Sequence, residues 1–292
     1  MEKNLARFSG FRFFAAVLIP VLVLSGCVTS SPNRSQNSGE NSPPSVSKST
    51  AEEVAIGEKI HEEILSTFRP YTEPAAVGYV NRIGKSLSAH VERKNLPYQF
   101  IILYHDKIYA TSSPGGFVYL TTGMIYFLDN EAELAAVLAH ELGELQYQDP
   151  KLSRSKKMLE SILNGGSMVA PALGQIGALA MLGLAMVKVA ADMHESSGED
   201  RVRAADKKAL GYMVQAGYDP QGMIDLQYKF VNARSEVRPY FVDYYQSRPI
   251  SEERMSALSK AFTALPIQNK SFSTNRDEFL QTTKGIREIY RQ

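Results

Sequence analysis

His140 and Glu141 stand side by side in the stretch LAAVLAHELGELQYQDP, residues 134–150, and Glu144 follows four positions after the histidine. On a helix, positions i and i+4 project from one face, so His140 and Glu144 can reach a common point. When both positions are histidine, in the pattern H-E-x-x-H, the pair grips zinc and the glutamate between them serves as general base. The ion brings the pKa of its bound water toward neutrality, and the glutamate takes the proton. Such a site needs three protein ligands and an open position for water. His140 matches the first ligand and Glu141 the base, whereas Glu144 stands where the second histidine belongs. Because a carboxylate can also bind zinc, the spacing leaves two readings: a working site with an unusual ligand, or a site that has lost its ion.

These residues need a rigid helix, and NEAELAAVLAHELGELQYQ supplies one, with Asp129 or Asn130 as cap and an end before Pro150. Upstream, AEEVAIGEKIHEEILSTF places Val54, Gly57, Ile60, Ile64 and Phe68 on one helical face. His61 lies beside that stripe, where packing or solvent exposure suits it better than metal binding. A second amphipathic helix carries Val77, Val80, Ile83, Leu87 and Val91. YQFIILY and FVYLTT read as buried strands, and SSPGG between them is turn chemistry. His90 and His105 fall near loops without ligand spacing. Downstream, SGEDRVRAADKKALGYMVQ starts a helix that breaks at AGYDP, and a further helix begins near Ser251.

The rest of the 292-residue chain sets the context. Basic and acidic residues nearly cancel, 32 against 31, so nothing favours a nucleic-acid partner. The one cysteine, Cys27, excludes an intramolecular disulfide and a cysteine-based structural zinc site. Lys3, Arg7 and Arg12 precede the apolar run FFAAVLIPVLVLSGC, which reads as a signal peptide over residues 1–26. LSGC, ending at Cys27, resembles the bacterial lipobox, in which cleavage exposes the cysteine for lipidation. Val28 in place of aspartate resembles the outer-membrane sorting pattern, so the expectation is an outer-membrane lipoprotein facing the periplasm. Residues 27–50, rich in Ser, Asn and Pro, form a tether too polar to offset the entropy of ordering. Residues 51–292 form the folded domain, with an apolar helical insert at 162–191 that is buried or touches the membrane without spanning it.

The order of the pieces resembles a zinc metallopeptidase family, number forty-eight of the metallopeptidase series. It includes the CAAX prenyl endopeptidase and periplasmic lipoproteases of outer-membrane quality control. The resemblance rests on EEVAIGEKI, YVNRIGKSL, LPYQFIIL, PGGFVYLTTGMI, NEAELAAVLAHELGE, AAD with AGYDP, and RPISEERMSAL, in that order. Each is weak alone, and seven in sequence are specific. The resemblance implies an α+β, zincin-like fold, mainly helical, with a small mixed sheet lining the cleft. It also implies that the strand holding Gly116, Phe117, Val118 and Tyr119 lines the cleft and pairs with extended peptide by strand addition. The plainer alternative is an ordinary core strand.

The resemblance implies a third ligand, a glutamate four residues before the Asp of an Ala-Asp pair. Anchored on Ala205-Asp206, that position holds Val202, which has no donor atom. The family's capping-loop histidine before a proline is Arg248 here. A rebuilt site would need His194, Glu195, Glu199 or Asp200 brought inward. Without an ion, Glu141 and Glu144 need another positive charge, since unpartnered buried carboxylates are costly. Arg248 could supply it, with Arg201 and Arg203 as further candidates, or Arg248 could simply face solvent. These residues together point to an envelope pseudoprotease that binds envelope proteins or peptides as an adaptor or chaperone, needs no cofactor, and retains Glu141 as a vestigial base. The alternative is a zinc-dependent metalloendopeptidase with an H-E-x-x-E site, binding zinc through His140 and Glu144 and acting in envelope protein quality control.

Overall fold

The computed structural model describes residues 48–147, 198–235, 250–268 and 270–291. Cys27, the signal peptide, nearly all of the tether, the insert at 162–191, His194, Glu195 and Arg248 lie outside the described residues. Among the described residues, no helix is long and apolar enough to cross a membrane.

Helix α1, Lys48–Thr67, starts three residues before Ala51, inside the segment expected to be tether. Its buried stripe is Glu53, Gly57, Ile60, Ile64 and Phe68, with Val54 only half-buried. Helix α2, Pro74–Ser88, begins with a proline whose missing N–H costs nothing at that position, and Glu73 caps it by accepting from the Ala75 and Ala76 amides. Strands β1, Gln99–Leu103, β2, Ala110–Ser113, and β3, Phe117–Thr121, make a mixed sheet in the order β1-β3-β2. β1 runs parallel to β3, and β2 runs antiparallel to it. The strand β2 was not expected, because ATSS has little apolar content and gains its structure from pairing with β3.

Alternation along β3 divides the interior. Phe117 and Tyr119 pack against Ile60 and Ile64 of α1 and Phe68 just beyond its end, while Val118 and Leu120 join the main core with α2. The turn Pro114–Gly116 holds Gly115 at φ 84° and Gly116 at φ 93°, a region that favours glycine. α1 presses on this turn at Gly57, where an added Cβ would lie 2.0 Å from the Pro114 carbonyl oxygen. His61 packs as expected, stacked on Phe117 with its Nδ1 3.1 Å from the Tyr119 hydroxyl.

After α3, Thr122–Phe127, comes α4, Glu131–Leu145, in which every side chain except that of Glu144 is buried. A helix apolar on nearly all sides belongs in the centre of a domain. α4 indeed packs against α2, β2, α5, Gly198–Ala216, and α6, Gln221–Ser235. Each fully buried leucine on it, Leu134, Leu138, Leu142 and Leu145, contributes about 2 kcal/mol of burial. α5 ends at Gly217, φ 85°, where the Tyr218 N–H donates to the Met213 carbonyl at 2.8 Å, an end only a left-handed residue completes easily. Helices α7, Glu252–Thr263, α8, Arg276–Thr282, and α9, Lys284–Ile289, complete the described chain. The last two were not anticipated from sequence. They are fixed by Phe279 against Tyr79 and by Arg82, which pairs with Glu131 at 2.9 Å and Glu278 at 3.0 Å.

Candidate functional site

The motif side chains owe their position to the start of α4. Asn130 caps the helix by accepting from the Glu133 amide at 2.9 Å, and Glu133 reaches back to the Asp129 amide. At the far end, Gly143 meets α5: a Cβ there would come within 2.7 Å of the Ala205 carbonyl oxygen. This close crossing sets Asp206 opposite His140.

His140 Nδ1 lies 2.7 Å from Asp206 Oδ1. Arg254, from the first turn of α7, donates through Nε to Oδ2 at 2.8 Å and through Nη2 to Oδ1 at 3.0 Å. All three are enclosed: His140 is 3% exposed, Asp206 1% and Arg254 3%. Burial alone would push the Asp206 carboxyl up. The Arg254 charge outweighs that, and with the His140 hydrogen bond it holds Asp206 well below the ordinary carboxylate range. An ionised Asp206 accepts the Nδ1 proton and turns Nε2 toward Glu144. That orientation is what a metal-binding histidine requires of its outer partner. The first ligand position is therefore intact, and Glu141 at the base position is fully buried.

The remaining positions differ. Val202, one turn before Asp206 on the same face of α5, is buried and offers no donor. Glu144 Oε2 lies 2.6 Å from Arg201 Nε, and Arg201 Nη2 donates to the Glu144 carbonyl at 3.1 Å. Glu144 Oε1 stands 4.0 Å from His140 Nε2. Two ligands at roughly 2.0–2.2 Å from a tetrahedral zinc are separated by about 3.3 Å. The Glu144 carboxylate is thus turned toward a guanidinium and away from the point a shared ion would occupy. Among the described residues, no group of three His, Cys, Asp or Glu side chains is arranged to hold a metal. This donor set does not fit a catalytic zinc.

Glu199 and Asp200, considered as substitute ligands, are exposed and paired with Arg203, 3.3 Å away in the first case. They do not turn inward, and Arg203 does not serve the motif carboxylates. Of the arginines considered, Arg201 reaches Glu144.

The peptide-pairing role expected of Gly116, Phe117, Val118 and Tyr119 is overturned. Gly116 belongs to the turn, and β3 is the central strand, bonded to β1 on one side and β2 on the other. Strand addition needs an unpaired row of backbone groups, and β3 has none. The plainer alternative of a core strand is the one realised.

Arg254 was missed as a site residue, although one signal marks it. A cation in the first turn of a helix opposes the helix dipole, and EER puts Arg254 there beside two well-placed acids. A residue unfavourable where it stands points to a specific partner elsewhere.

The family model described as Peptidase family M48 matches residues 74–262. The beta-barrel assembly-enhancing protease of Escherichia coli (strain K12) is 25% identical over 222 residues, covering 71% of this chain and 43% of that protein. The protein of that name from Yersinia pestis is 25% identical over 219 residues, covering 70% and 43%. A putative beta-barrel assembly-enhancing protease of Vibrio cholerae is 23% identical over 156 residues, covering 52% and 32%. The chain spans less than half the length of these relatives. The family match takes in α4, the Asp206 partner on α5 and the Arg254 helix, and it shows that the chain belongs to peptidase family M48.

Proposed function

We propose that this chain is an envelope lipoprotein that keeps a metallopeptidase body, has given up cutting, and acts by binding polypeptide as an adaptor or chaperone-like factor. The observation that carries the reading is the state of two ligand positions: Val202 has no donor atom, and Glu144 is held by Arg201 at 2.6 Å. With no donor at Val202 and the Glu144 carboxylate drawn to Arg201, a stable ion with an open site for water is out of reach. The signal-like N-terminus and LSGC at Cys27 support an acyl anchor in the outer membrane. The relatives named for enhancing β-barrel assembly suggest β-barrel envelope proteins as the class of client.

One observation favours the second reading, a zinc-dependent endopeptidase. His140 is oriented by Asp206, and Glu141 is in place, as an active site would need. To work, that enzyme would have to break the Glu144–Arg201 pair and recruit a further ligand. Elemental analysis of the purified full chain, with casein cleavage measured with and without chelator, separates the two. The proposal expects no retained zinc and no chelator-sensitive cleavage, and about one zinc per chain with such cleavage would refute it. Loss of palmitate labelling in C27A tests the anchor.

A further inference from the structure

We infer that Arg201 is the resident cation of this site, standing in for the metal, and that its charge keeps zinc out even when the missing ligands are put back. The inference rests on the metal-free reading above and deepens it. The guanidinium engages Glu144 twice, through Nε to the carboxylate at 2.6 Å and through Nη2 to the backbone carbonyl at 3.1 Å. That carbonyl is among the last of α4, where the helix end carries partial negative charge that a cation offsets. Both side chains are largely enclosed, 12% and 13% exposed, so solvent screens the pair poorly. Glu144 Oε1 meanwhile remains 4.0 Å from His140 Nε2, so the charge lies immediately beside the place where His140 and residue 144 would share an ion.

Glu144, Val202 and Arg201 are therefore treated as one unit. In E144H/V202E the two family ligands return, but Arg201 loses its carboxylate partner. The guanidinium is left with a net positive charge beside the restored ligands. It then repels the ion directly.

The test compares full-length wild type, E144H/V202E and E144H/V202E/R201Q, each dialysed against zinc chloride and then against metal-free buffer. Retained zinc is measured by elemental analysis, and cobalt(II) absorption reads out tetrahedral coordination independently of any activity. The expected result is no retained metal in wild type or the double variant, and about one zinc per chain in the triple variant. Zinc affinity in the triple variant is expected to be on the order of a hundredfold tighter than in the double. Equal zinc binding by the double and triple variants would overturn the role of Arg201 while leaving the metal-free reading of the wild type intact. A triple variant that is folded by circular dichroism yet takes no zinc would also overturn it. Stoichiometric zinc in wild type would instead overturn the metal-free reading itself.

Discussion

Replacing Arg254 with methionine removes one charge from a buried ion pair and keeps most of its volume. Asp206 accepts two hydrogen bonds from Arg254, at 2.8 and 3.0 Å, and has one contact from His140 at 2.7 Å. Neither partner in the Arg254 pair has room for water, with side chains 4% and 2% exposed. Breaking a buried pair from one side costs about 3–5 kcal/mol, because the remaining charge loses its compensation and cannot regain its hydration. At roughly 2–4 °C per kcal/mol for a domain of this size, the melting temperature of R254M should fall by about 6–20 °C at pH 7.5.

The pH dependence gives a second check. Burial raises the Asp206 pKa, but Arg254 and His140 hold it below the ordinary value in the wild type. A depressed folded-state pKa contributes stability above the unfolded value near about 3.9, and that stability is lost as pH falls toward the folded pKa. In R254M burial acts against His140 alone, so the carboxyl takes up its proton more readily. The gap between wild type and R254M should be widest at neutral pH and narrow as pH approaches about 4. Melting curves by circular dichroism at pH 7.5 and pH 4.5 measure both effects. R254M/D206L, with both charges gone, should recover part of the loss, short of the full amount because His140 Nδ1 then lacks its acceptor. An R254M melting temperature within about 2 °C of wild type at pH 7.5 would show that the pair does not hold α5 to α7, and the reasoning would fail.

Other consequences are smaller or more local. G143A forces a methyl group to within 2.7 Å of the Ala205 carbonyl oxygen and should cost about 1–3 kcal/mol in urea unfolding, whereas an ordinary exposed helical glycine would gain stability from alanine. N130A removes the cap of α4 and should cost about 1 kcal/mol by the same measurement. Y119F deletes the hydroxyl beside His61 and should cost about 0.5–1.5 kcal/mol; no change would show that stacking on Phe117 alone holds the imidazole.

The parts of the fold that were legible in the sequence are those whose cause is local. Asn130 is a good cap followed by an apolar run, and Gly217 interrupts a helix where a left-handed residue is needed. His140, Glu141 and Glu144 announce themselves by spacing within a single helix. What escaped depends on partners far along the chain. β2 is a short polar segment that becomes a strand only because β3 offers it an edge. The same pairing closes β3, so the segment that the family resemblance cast as a peptide platform is a central strand. Arg254 is an unfavourable cation in a first turn whose partner stays hidden until Asp206, 48 residues away in sequence, is brought against it.

The seam between α4 and α5 shows how the two helices are joined by contacts among the chain's own residues. A catalytic metal would tie the two helices by accepting ligands from both. Here the tie is distributed over contacts that need no metal. Gly143 lets the helices approach to backbone contact at Ala205. Asp206 gathers His140 from α4 and Arg254 from α7 into one enclosed group. Glu144 on α4 holds Arg201 on α5. The arginines neutralise, within the seam, the two carboxylates they touch, so neither remains as a lure for a dication.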